Sequence, residues 1–321
     1  MMDCYLVTGA AGFIGRSIAQ ELLAQGKRVR GIDNFSTGKR ENLRGLEAMD
    51  FIEADINDGK AVSEACRGVD CIFHEAAIPS VPLSIADPVN SNLAGVSGTV
   101  QLLAAAKKAK VRRLVYAGSS AVYGNSPALP KSEDMWPSPI SPYAVTKLTG
   151  EFYLQCFTQV YGIETVALRY FNVFGPYQDP KSQYSGVLAI FTLKMLRGET
   201  PTIYGDGEQG RDFTFIQDVV RGNLLASEAP ASRVSGKVFN IATGHSVTLN
   251  QAAAVLRQIT GYCGQIKYAE ERGGDVKHSV ASIRRAGETF GYEPRVEFRE
   301  GLERTISWYQ QTMASVNEQV V

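Results

Sequence analysis

Short apolar segments alternate with longer amphipathic ones between residues 4 and 169, and this alternation limits the chain to few architectures. A short apolar run fits a buried strand, whereas apolar residues that recur every three or four positions fit one face of a helix. Strands that alternate with helices in this way are parallel and are joined by helical crossovers. The sequence therefore predicts an α/β fold, a Rossmann-like doubly wound parallel sheet. Strands are expected at residues 4–8, 28–33, 51–54, 71–74, 113–117 and 165–169, and helices at residues 14–25, 61–66, 91–108 and 142–161.

The pattern becomes less regular after residue 174. Connections rich in glycine and proline, such as Gly175-Pro176, precede one further strand at 237–242 and two helices at 249–260 and 299–310. We expect a smaller mixed α/β C-terminal lobe that binds the substrate. Residues 1–173, with returning segments near 212–243, would form the first domain, and residues 174–211 and 244–321 would form the lobe.

Charge and cysteine content exclude several classes of protein. The 321 residues include 33 Lys and Arg against 33 Asp and Glu, which removes the electrostatic basis for a nucleic-acid or membrane-surface partner. The five cysteines form no Cys-x-x-Cys pair, and the three histidines have no metal-ligand spacing. No leader and no apolar stretch long enough to span a bilayer is visible. A reducing, cytoplasmic location and the absence of a metal are therefore expected.

The segment Gly9-Ala10-Ala11-Gly12-Phe13-Ile14-Gly15 connects the first predicted strand to the first predicted helix. Glycines at these spacings permit a sharp turn, let backbone N–H groups approach a pyrophosphate, and let the helix pack closely on the strand. The strand–turn–helix context is the one in which this pattern binds a dinucleotide. The predicted cofactor contacts in this turn are Gly9, Gly12, Phe13, Ile14 and Gly15.

Asp33, at the end of the second predicted strand, bears on the choice of cofactor. A carboxylate there can accept hydrogen bonds from both ribose hydroxyls of adenosine and would repel a 2′-phosphate, which favours NAD over NADP. Lys39 and Arg40 are close in sequence and keep the NADP alternative open. Asp55 and Ile56 follow the third predicted strand and are candidate contacts for the adenine.

Tyr143 and Lys147 lie four residues apart near the start of a predicted helix, so their side chains share one face. A nearby ammonium and a positive nicotinamide ring both favour the phenolate and would lower the pKa of Tyr143 from about 10. Such a tyrosine can take a proton from a substrate hydroxyl while hydride leaves the same carbon. Ser119 follows the preceding strand, where it could hydrogen-bond the reacting oxygen.

Together and in this order, these features resemble an extended short-chain dehydrogenase/reductase and, within that family, the nucleotide-sugar 4-epimerases. The resemblance covers nearly the whole chain. It is carried by residues 9–15, 33–38, 74–77, 119–124, 141–143 with Lys147, 169–173, and 205–207 with 211–212.

The resemblance implies a role for each matching residue. Tyr143 would be the catalytic base, Lys147 would tune it and hold the nicotinamide ribose, and Ser119 would assist at the 4′-oxygen. To a tightly bound, recycled NAD the resemblance assigns Asn34, Ser36, Thr37, Gly38, Ala76, Ala77, Asn92, Tyr170 and Val173. To the nucleotide sugar it assigns Ser119, Ser120, Asn172, Val187, Tyr204, Arg211, Arg272, Asp275 and Ser279.

The same resemblance distinguishes among reactions that begin with oxidation at C4′. Dehydratases of the family carry an Asp-Glu pair after the assisting hydroxyl residue, whereas Ser120 and Ala121 occupy those positions here. An epimerase is therefore expected, acting on UDP-GlcNAc/UDP-GalNAc and UDP-Glc/UDP-Gal, because the small Ser279 would leave room for an acetamido group. A UDP-glucuronic acid 4-epimerase and a nucleotide-sugar dehydrogenase stay open as alternatives.

Two further expectations concern whether the protein is an enzyme and whether it forms a homodimer. A non-catalytic NAD sensor would not need Ser119, Tyr143 and Lys147 together, so an enzyme is favoured. The predicted helices 91–108 and 142–161 carry apolar residues on more than one side, and the family pairs such helices across a homodimer. The residues that suggest such a surface are Leu102, Leu103, Leu148, Phe152 and Phe157.

Overall fold

A seven-stranded, fully parallel sheet forms the centre of the molecule. The computed structural model describes residues 2–179, 186–271 and 277–318. The sheet order is β7-β6-β5-β4-β1-β2-β3, so the direction of winding reverses between β1 and β4. This is the doubly wound arrangement expected from the sequence, with its ligand-binding crevice at the reversal point. The strands are β1 (Cys4–Thr8), β2 (Arg28–Asp33), β3 (Asp50–Glu53), β4 (Cys71–His74), β5 (Arg113–Ser119), β6 (Glu164–Tyr170) and β7 (Lys237–Ile241).

Helices connect the strands, and two of them begin and end at the expected residues. The helices are α1 (Phe13–Ala24), α2 (Gly59–Ala65), α3 (Val81–Ala86), α4 (Pro88–Asn92), α5 (Gly98–Ala109), α6 (Pro142–Tyr161), α7 (Val187–Leu196), α8 (Ile216–Glu228), α9 (Ala231–Val234), α10 (Leu249–Thr260), α11 (Arg284–Phe290) and α12 (Phe298–Glu318). Helix α6 begins after Ser141, whose hydroxyl accepts a hydrogen bond from the Ala144 N–H at 3.2 Å, and ends at the left-handed Gly162. Helix α10 begins with a capping box formed by Thr248 and Gln251.

The expected helix 91–108 is interrupted by a π-helical turn at Leu93–Ser97, between α4 and α5. Two glycines let this stretch pack closely on its neighbours. A Cβ at Gly95 would lie 2.8 Å from the Cβ of Thr146 on α6, and one at Gly98 would collide with Ile56. The extra residue of a π turn changes the face that the helix presents, and such turns are frequent at functional sites.

The C-terminal lobe is built from short strands and from α7, α10, α11 and α12. Its strands are Asn172–Phe174 paired with Phe213–Phe215, Thr202–Tyr204 paired with Lys267–Ala269, and Gly210–Arg211 between Val247–Thr248 and His278–Ser279. One cluster of buried apolar residues runs from Val7 on β1 through Phe174 to Leu302 on α12. The lobe therefore shares its core with the sheet, while the division into two domains stays a prediction.

His74, the last residue of β4, is buried and neutral. Its Nδ1 lies 2.8 Å from the Thr8 hydroxyl and its Nε2 lies 2.9 Å from the Thr99 hydroxyl. Burial, with a smaller contribution from Lys147, lowers the pKa of His74 from 6.5 to about 3. Between these two pKa values the unfolded chain binds a proton that the folded chain does not, so stability falls as the pH falls.

We expect acidification from pH 6.5 to pH 5 to remove about 2 kcal/mol from the free energy of unfolding through His74. Urea unfolding of the wild type and of a His74→Gln variant at both pH values measures this contribution. The variant should lose about 2 kcal/mol less than the wild type over this interval, because glutamine does not titrate. Equal losses in the two proteins would contradict the assignment.

Candidate functional site

A cavity of about 830 Å³ opens where the strands of the sheet end. Its walls include Gly9 after β1, Asp33 at the end of β2, Glu75 after β4, Ser119 at the end of β5 and Tyr170 at the end of β6. The cavity therefore occupies the crevice beyond the carboxyl ends of the strands, where ligands bind in doubly wound sheets. Its volume lies in the range of sites for small molecules and cofactors.

The glycine-rich turn brings an uncapped helix N-terminus to this cavity. Gly9 has a φ of +67°, and a Cβ there would lie 2.8 Å from the Ala76 nitrogen. A Cβ at Gly15 would collide with the Gly9 carbonyl oxygen, so only glycine lets α1 start this close to β1. Gly12 occupies the N-cap position of α1, where it provides no side-chain hydrogen bond, and the first turn of the helix contains no acidic residue. The first N–H groups of α1 thus suit a bound anion.

Asp33 has a structural role that its position in the sequence does not reveal. One carboxylate oxygen accepts a hydrogen bond from the Ala11 N–H at 2.9 Å, and the other accepts one from the Phe35 N–H at 2.7 Å. The side chain is buried, and burial raises its pKa, although the two backbone hydrogen bonds act in the opposite direction. Asp33 therefore holds the glycine-rich turn in place and still presents lone pairs to the cavity.

The two cations that kept NADP open have protein partners. Lys39 Nζ lies 2.7 Å from a carboxylate oxygen of Asp179, and Arg40 Nη2 lies 2.5 Å from one of Glu53. Asp55, the candidate adenine contact, accepts a hydrogen bond from Asn34 at 2.6 Å.

Ser119, Tyr143 and Lys147 all line the cavity. Ser119 is near enough to Tyr143 for its hydroxyl to act on the pKa of the phenol. Lys147 Nζ donates a hydrogen bond to the Ala117 carbonyl at 2.7 Å and lies 5.8 Å from the centre of the Tyr143 ring. Ser119 ends a strand, whereas Tyr143 and Lys147 lie one helical turn apart on α6. The fold thus brings to one cavity three side chains that the sequence keeps apart.

The electrostatics of this group correct one expectation. Burial raises the pKa of Tyr143, while the hydrogen bond with Ser119 acts to lower it. Burial also lowers the pKa of Lys147 to about 8, opposed by the carboxylates of Glu75 and Glu151. In the protein alone the pKa of Tyr143 is therefore raised, whereas the sequence suggested that Lys147 would help to lower it.

Glu75 is a residue of the cavity for which the sequence suggested no role. Its Oε1 accepts a hydrogen bond from the Tyr170 hydroxyl at 2.9 Å, and that hydroxyl also accepts a hydrogen bond from the Asn223 amide nitrogen at 2.8 Å. Burial raises the pKa of Glu75 to about 7, opposed by the hydrogen bond with Tyr170 and by Lys147. A carboxyl group therefore faces the same cavity as Tyr143 and Lys147.

Most of the predicted site residues line the cavity, and the others divide into three groups. Lining residues are Gly9, Gly12, Phe13, Ile14, Gly15, Asp33, Asn34, Ser36, Thr37, Asp55, Ile56, Ala76, Ala77, Ser119, Ser120, Tyr143, Lys147, Tyr170, Asn172 and Val173. Gly38, Asn92 and Val187 are not in the lining but are close to it in sequence, because Thr37, Asn90 and Gly186 line the cavity. Gly38 also packs on Ala11 of the glycine-rich turn. Tyr204, Arg211 and Ser279 lie on the short strands of the C-terminal lobe, where Arg211 is aligned with Ser279. Arg272 and Asp275 lie outside the described residues.

A buried carboxylate fixes the segment that carries Arg211. Asp212 accepts hydrogen bonds from the N–H groups of Thr243 at 2.8 Å, Gly244 at 2.9 Å and Ala281 at 3.2 Å. It thereby ties three separate parts of the chain together beside Arg211. The Arg-Asp pair in the sequence is thus a partly buried cation next to its buried structural support.

The described residues contain neither a membrane-spanning helix nor a metal-binding cluster. Between residues 2 and 318, apart from the two undescribed segments, no helix is long and apolar enough to cross a membrane. The same part of the chain contains no group of three His, Cys, Asp or Glu side chains placed to hold a metal ion.

Comparison with known proteins places this geometry among sugar-nucleotide enzymes. The model of the NAD-dependent epimerase/dehydratase family matches residues 5–242. A UDP-glucose 4-epimerase of Mycolicibacterium smegmatis is 38% identical over 310 residues, which cover 95% of this chain and 98% of that protein. A UDP-glucose 4-epimerase of Thermotoga maritima, solved with UDP-glucose, has a TM-score of 0.92 and 39% identity, with 97% and 99% of the two chains covered. A UDP-N-acetylglucosamine 4-epimerase of Methanobrevibacter ruminantium, solved with UDP-N-acetylmuramic acid, has a TM-score of 0.92 and 38% identity, with 98% and 100% covered.

Proposed function

Because this chain belongs to the NAD-dependent epimerase/dehydratase family, we propose that it is an NAD-dependent UDP-hexose 4-epimerase, an isomerase. Its substrates would be UDP-GlcNAc/UDP-GalNAc and UDP-Glc/UDP-Gal, interconverted at C4′ through a transient 4-keto sugar. The observation that carries this proposal is that Ser119, Tyr143 and Lys147 line one cavity together with a dinucleotide-type glycine turn. The named activities of relatives that cover nearly the whole chain support it.

The residues of the cavity fit the cofactor. Gly9 and Gly15 let α1 start close to β1, and the first N–H groups of α1 have no side-chain cap, so they suit a diphosphate. Asp33 ends β2 at the position that suits an adenosine ribose, and Lys39 and Arg40 are paired with carboxylates, which favours NAD over NADP. Lys147 would hold the nicotinamide ribose.

In the proposed mechanism Tyr143 accepts the proton of the C4′ hydroxyl and later returns it. When bound, the nicotinamide ring supplies the hydride acceptor for C4′ and the hydride donor for either face of the resulting ketose. Ser119 hydrogen-bonds the reacting oxygen and holds the phenol of Tyr143 beside it. Burial raises the pKa of Tyr143, and the positive charge of a bound nicotinamide ring would favour its phenolate.

The residues after Ser119 favour epimerisation over elimination of water. Ser120 and Ala121 begin a short 3₁₀ helix, Ser120–Tyr123, directly after β5. Neither side chain is an acid or a base at neutral pH, so this position lacks the groups that dehydration needs.

The charge of the cavity favours a neutral hexose over a uronic acid. Among the described lining residues the only cations are Lys39, which is paired with Asp179, and Lys147, which donates to Ala117. The carboxyl group of Glu75 faces the same cavity and offers no positive partner for the carboxylate of a UDP-glucuronate.

The test is incubation of the purified protein, without added cofactor, with UDP-GlcNAc, UDP-Glc and UDP-GlcA in separate reactions. We expect the 4-epimers of the two neutral substrates and little or none of the third. No 4-epimer from any substrate would refute the proposed function, and steady accumulation of NADH from added NAD would show a dehydrogenase instead.

A homodimer and a cytoplasmic location complete the proposal. Leu102, Leu103 and Phe157 are buried within the protein, so they cannot form the partner surface suggested by the sequence. Phe152, which the sequence also suggested, is exposed on α6, and so are Val89 and Leu93 on and just after the adjoining α4. All five cysteines are free, which suits a reducing compartment. Sedimentation of the purified protein would test the proposed dimer.

A further inference from the structure

Residues 175–179, here called the strap, follow the strand Asn172–Phe174, and three of them line the cavity. The strap residues Tyr177, Gln178 and Asp179 line the cavity together with Gly12 and Phe13. Gly175 and Tyr177 both have positive φ values, +153° and +70°, so the backbone of the strap turns sharply as it leaves the strand Asn172–Phe174. A non-glycine residue in the left-handed region requires support from its surroundings, and Tyr177 receives that support from two directions.

The first support comes from the helix that carries the glycine turn. The guanidinium of Arg16 lies 3.4 Å from the centre of the Tyr177 ring, a cation–π contact. Arg16 is itself buried and donates hydrogen bonds to the carbonyls of Asn42 at 2.9 Å and Arg44 at 3.3 Å. The guanidinium of Arg16 is therefore held in place by the backbone, and the strap packs on it through the ring of Tyr177.

The second support comes from α12. The ring of Trp308 lies 4.8 Å from that of Tyr177, and the Tyr309 hydroxyl donates a hydrogen bond to the Gln178 carbonyl at 2.6 Å. Gln178 in turn donates to the Val173 carbonyl at 3.2 Å. The helix α12 thus contacts the strap at both Tyr177 and Gln178.

An ion pair then joins the end of the strap to the loop after β2. Lys39 Nζ lies 2.7 Å from a carboxylate oxygen of Asp179, with both side chains partly exposed. The Lys39 backbone N–H also donates to the Ala11 carbonyl at 3.1 Å, which ties the loop to the glycine turn. The glycine turn, the loop and the strap are thus connected to one another, and residues of all three line the cavity.

We propose that the Lys39–Asp179 pair is a latch, and that the strap it fastens sets how slowly NAD leaves the protein. The inference rests on the proposed function, because a recycled cofactor has to outlast many turnovers. Because Tyr177 and Asp179 line the cavity together with Gly12 and Phe13, NAD held there leaves only after the ion pair opens and Tyr177 moves off Arg16. Neither interaction involves Ser119, Tyr143 or Lys147, so the latch affects retention of the cofactor and not the proton transfer at Tyr143.

The test is the rate of NAD release, measured with protein loaded with radiolabelled NAD, chased with excess unlabelled NAD and separated by gel filtration at intervals. Lys39→Asp and Asp179→Lys each place like charges opposite one another and should accelerate release about fivefold. The double variant restores an opposite-charge pair and should release NAD nearly as slowly as the wild type. Tyr177→Ala should accelerate release about tenfold through loss of the cation–π contact. Arg40→Asp is the matched control, because Arg40 pairs with Glu53 and does not line the cavity.

Each outcome decides between the latch and its alternatives. Single variants that release NAD at the wild-type rate would overturn the proposal. A double variant that releases NAD as fast as the singles would overturn it too, because Lys39 would then be binding the cofactor directly. A wild type that binds no NAD would refute the proposed function itself, whereas normal epimerisation with unchanged release in every variant would refute only the latch.

Discussion

Replacing Tyr143 with phenylalanine should reduce the rate of epimerisation by about 10²- to 10⁴-fold, the usual contribution of a positioned acid–base group. The substitution removes only the phenolic hydroxyl group, and the ring keeps its place at the start of α6. NAD should therefore stay bound in the variant, and the ratio of bound NAD to protein should equal that of the wild type. Activity is followed as formation of the 4-epimer of UDP-Glc or UDP-GlcNAc.

Tyr153 supplies the matched control for this experiment. It lies on the same helix but is partly exposed and does not line the cavity, so Tyr153→Phe should retain full activity. Near-normal turnover by Tyr143→Phe would show that another group is the base. Loss of both activity and NAD would instead indicate that the phenol serves mainly to hold the cofactor.

The second large effect concerns stability and the buried ion pair behind the site. Arg169 on β6 donates from Nε and Nη2 to the two carboxylate oxygens of Glu151 on α6, at 2.8 and 2.7 Å, and both side chains are buried. Arg169→Met leaves the Glu151 carboxylate without its partner, which should lower the free energy of unfolding by about 3–5 kcal/mol. Urea unfolding, with a check that the slope is unchanged, measures the loss.

Two further variants separate the burial of a lone charge from the simple loss of a contact. Arg169→Met combined with Glu151→Met removes both charges and should recover most of the loss, because no unpaired carboxylate is left. Arg40→Met breaks an exposed pair with Glu53 and should change the free energy of unfolding by less than about 1 kcal/mol. A similarly small effect of Arg169→Met alone would contradict the interpretation.

The sheet and the cofactor turn could be predicted because their signals are local. The alternation of apolar runs fixes the parallel strands, and the glycines at 9, 12 and 15 have one geometric use between a strand and a helix. Helix α6 was predicted to the residue because Ser141, Pro142 and Gly162 are each specific to a helix terminus.

The rest depends on contacts between distant residues. Helix α7 was not predicted because it is apolar on all sides and lacks the periodicity of a surface helix. The short strands of the C-terminal lobe contain two or three residues each, too few to show alternation. Arg16 resembles an ordinary surface arginine in the sequence, and only the fold shows it buried under Tyr177. The direction of the Tyr143 pKa shift likewise follows from burial, which no spacing of residues reveals.

Asp33 has a consequence for attempts to redesign the cofactor preference. A designer who wants the enzyme to accept a 2′-phosphate would remove this carboxylate first, since it is the residue that we expect to repel the extra charge. The same substitution would strip the Ala11 and Phe35 amides of their acceptor and loosen the turn that the new cofactor also needs. A substitution of Asp33 made to change the cofactor preference would therefore also disturb the glycine-rich turn. A successful variant would have to supply a replacement acceptor for both amides before it offers a new cation to the phosphate.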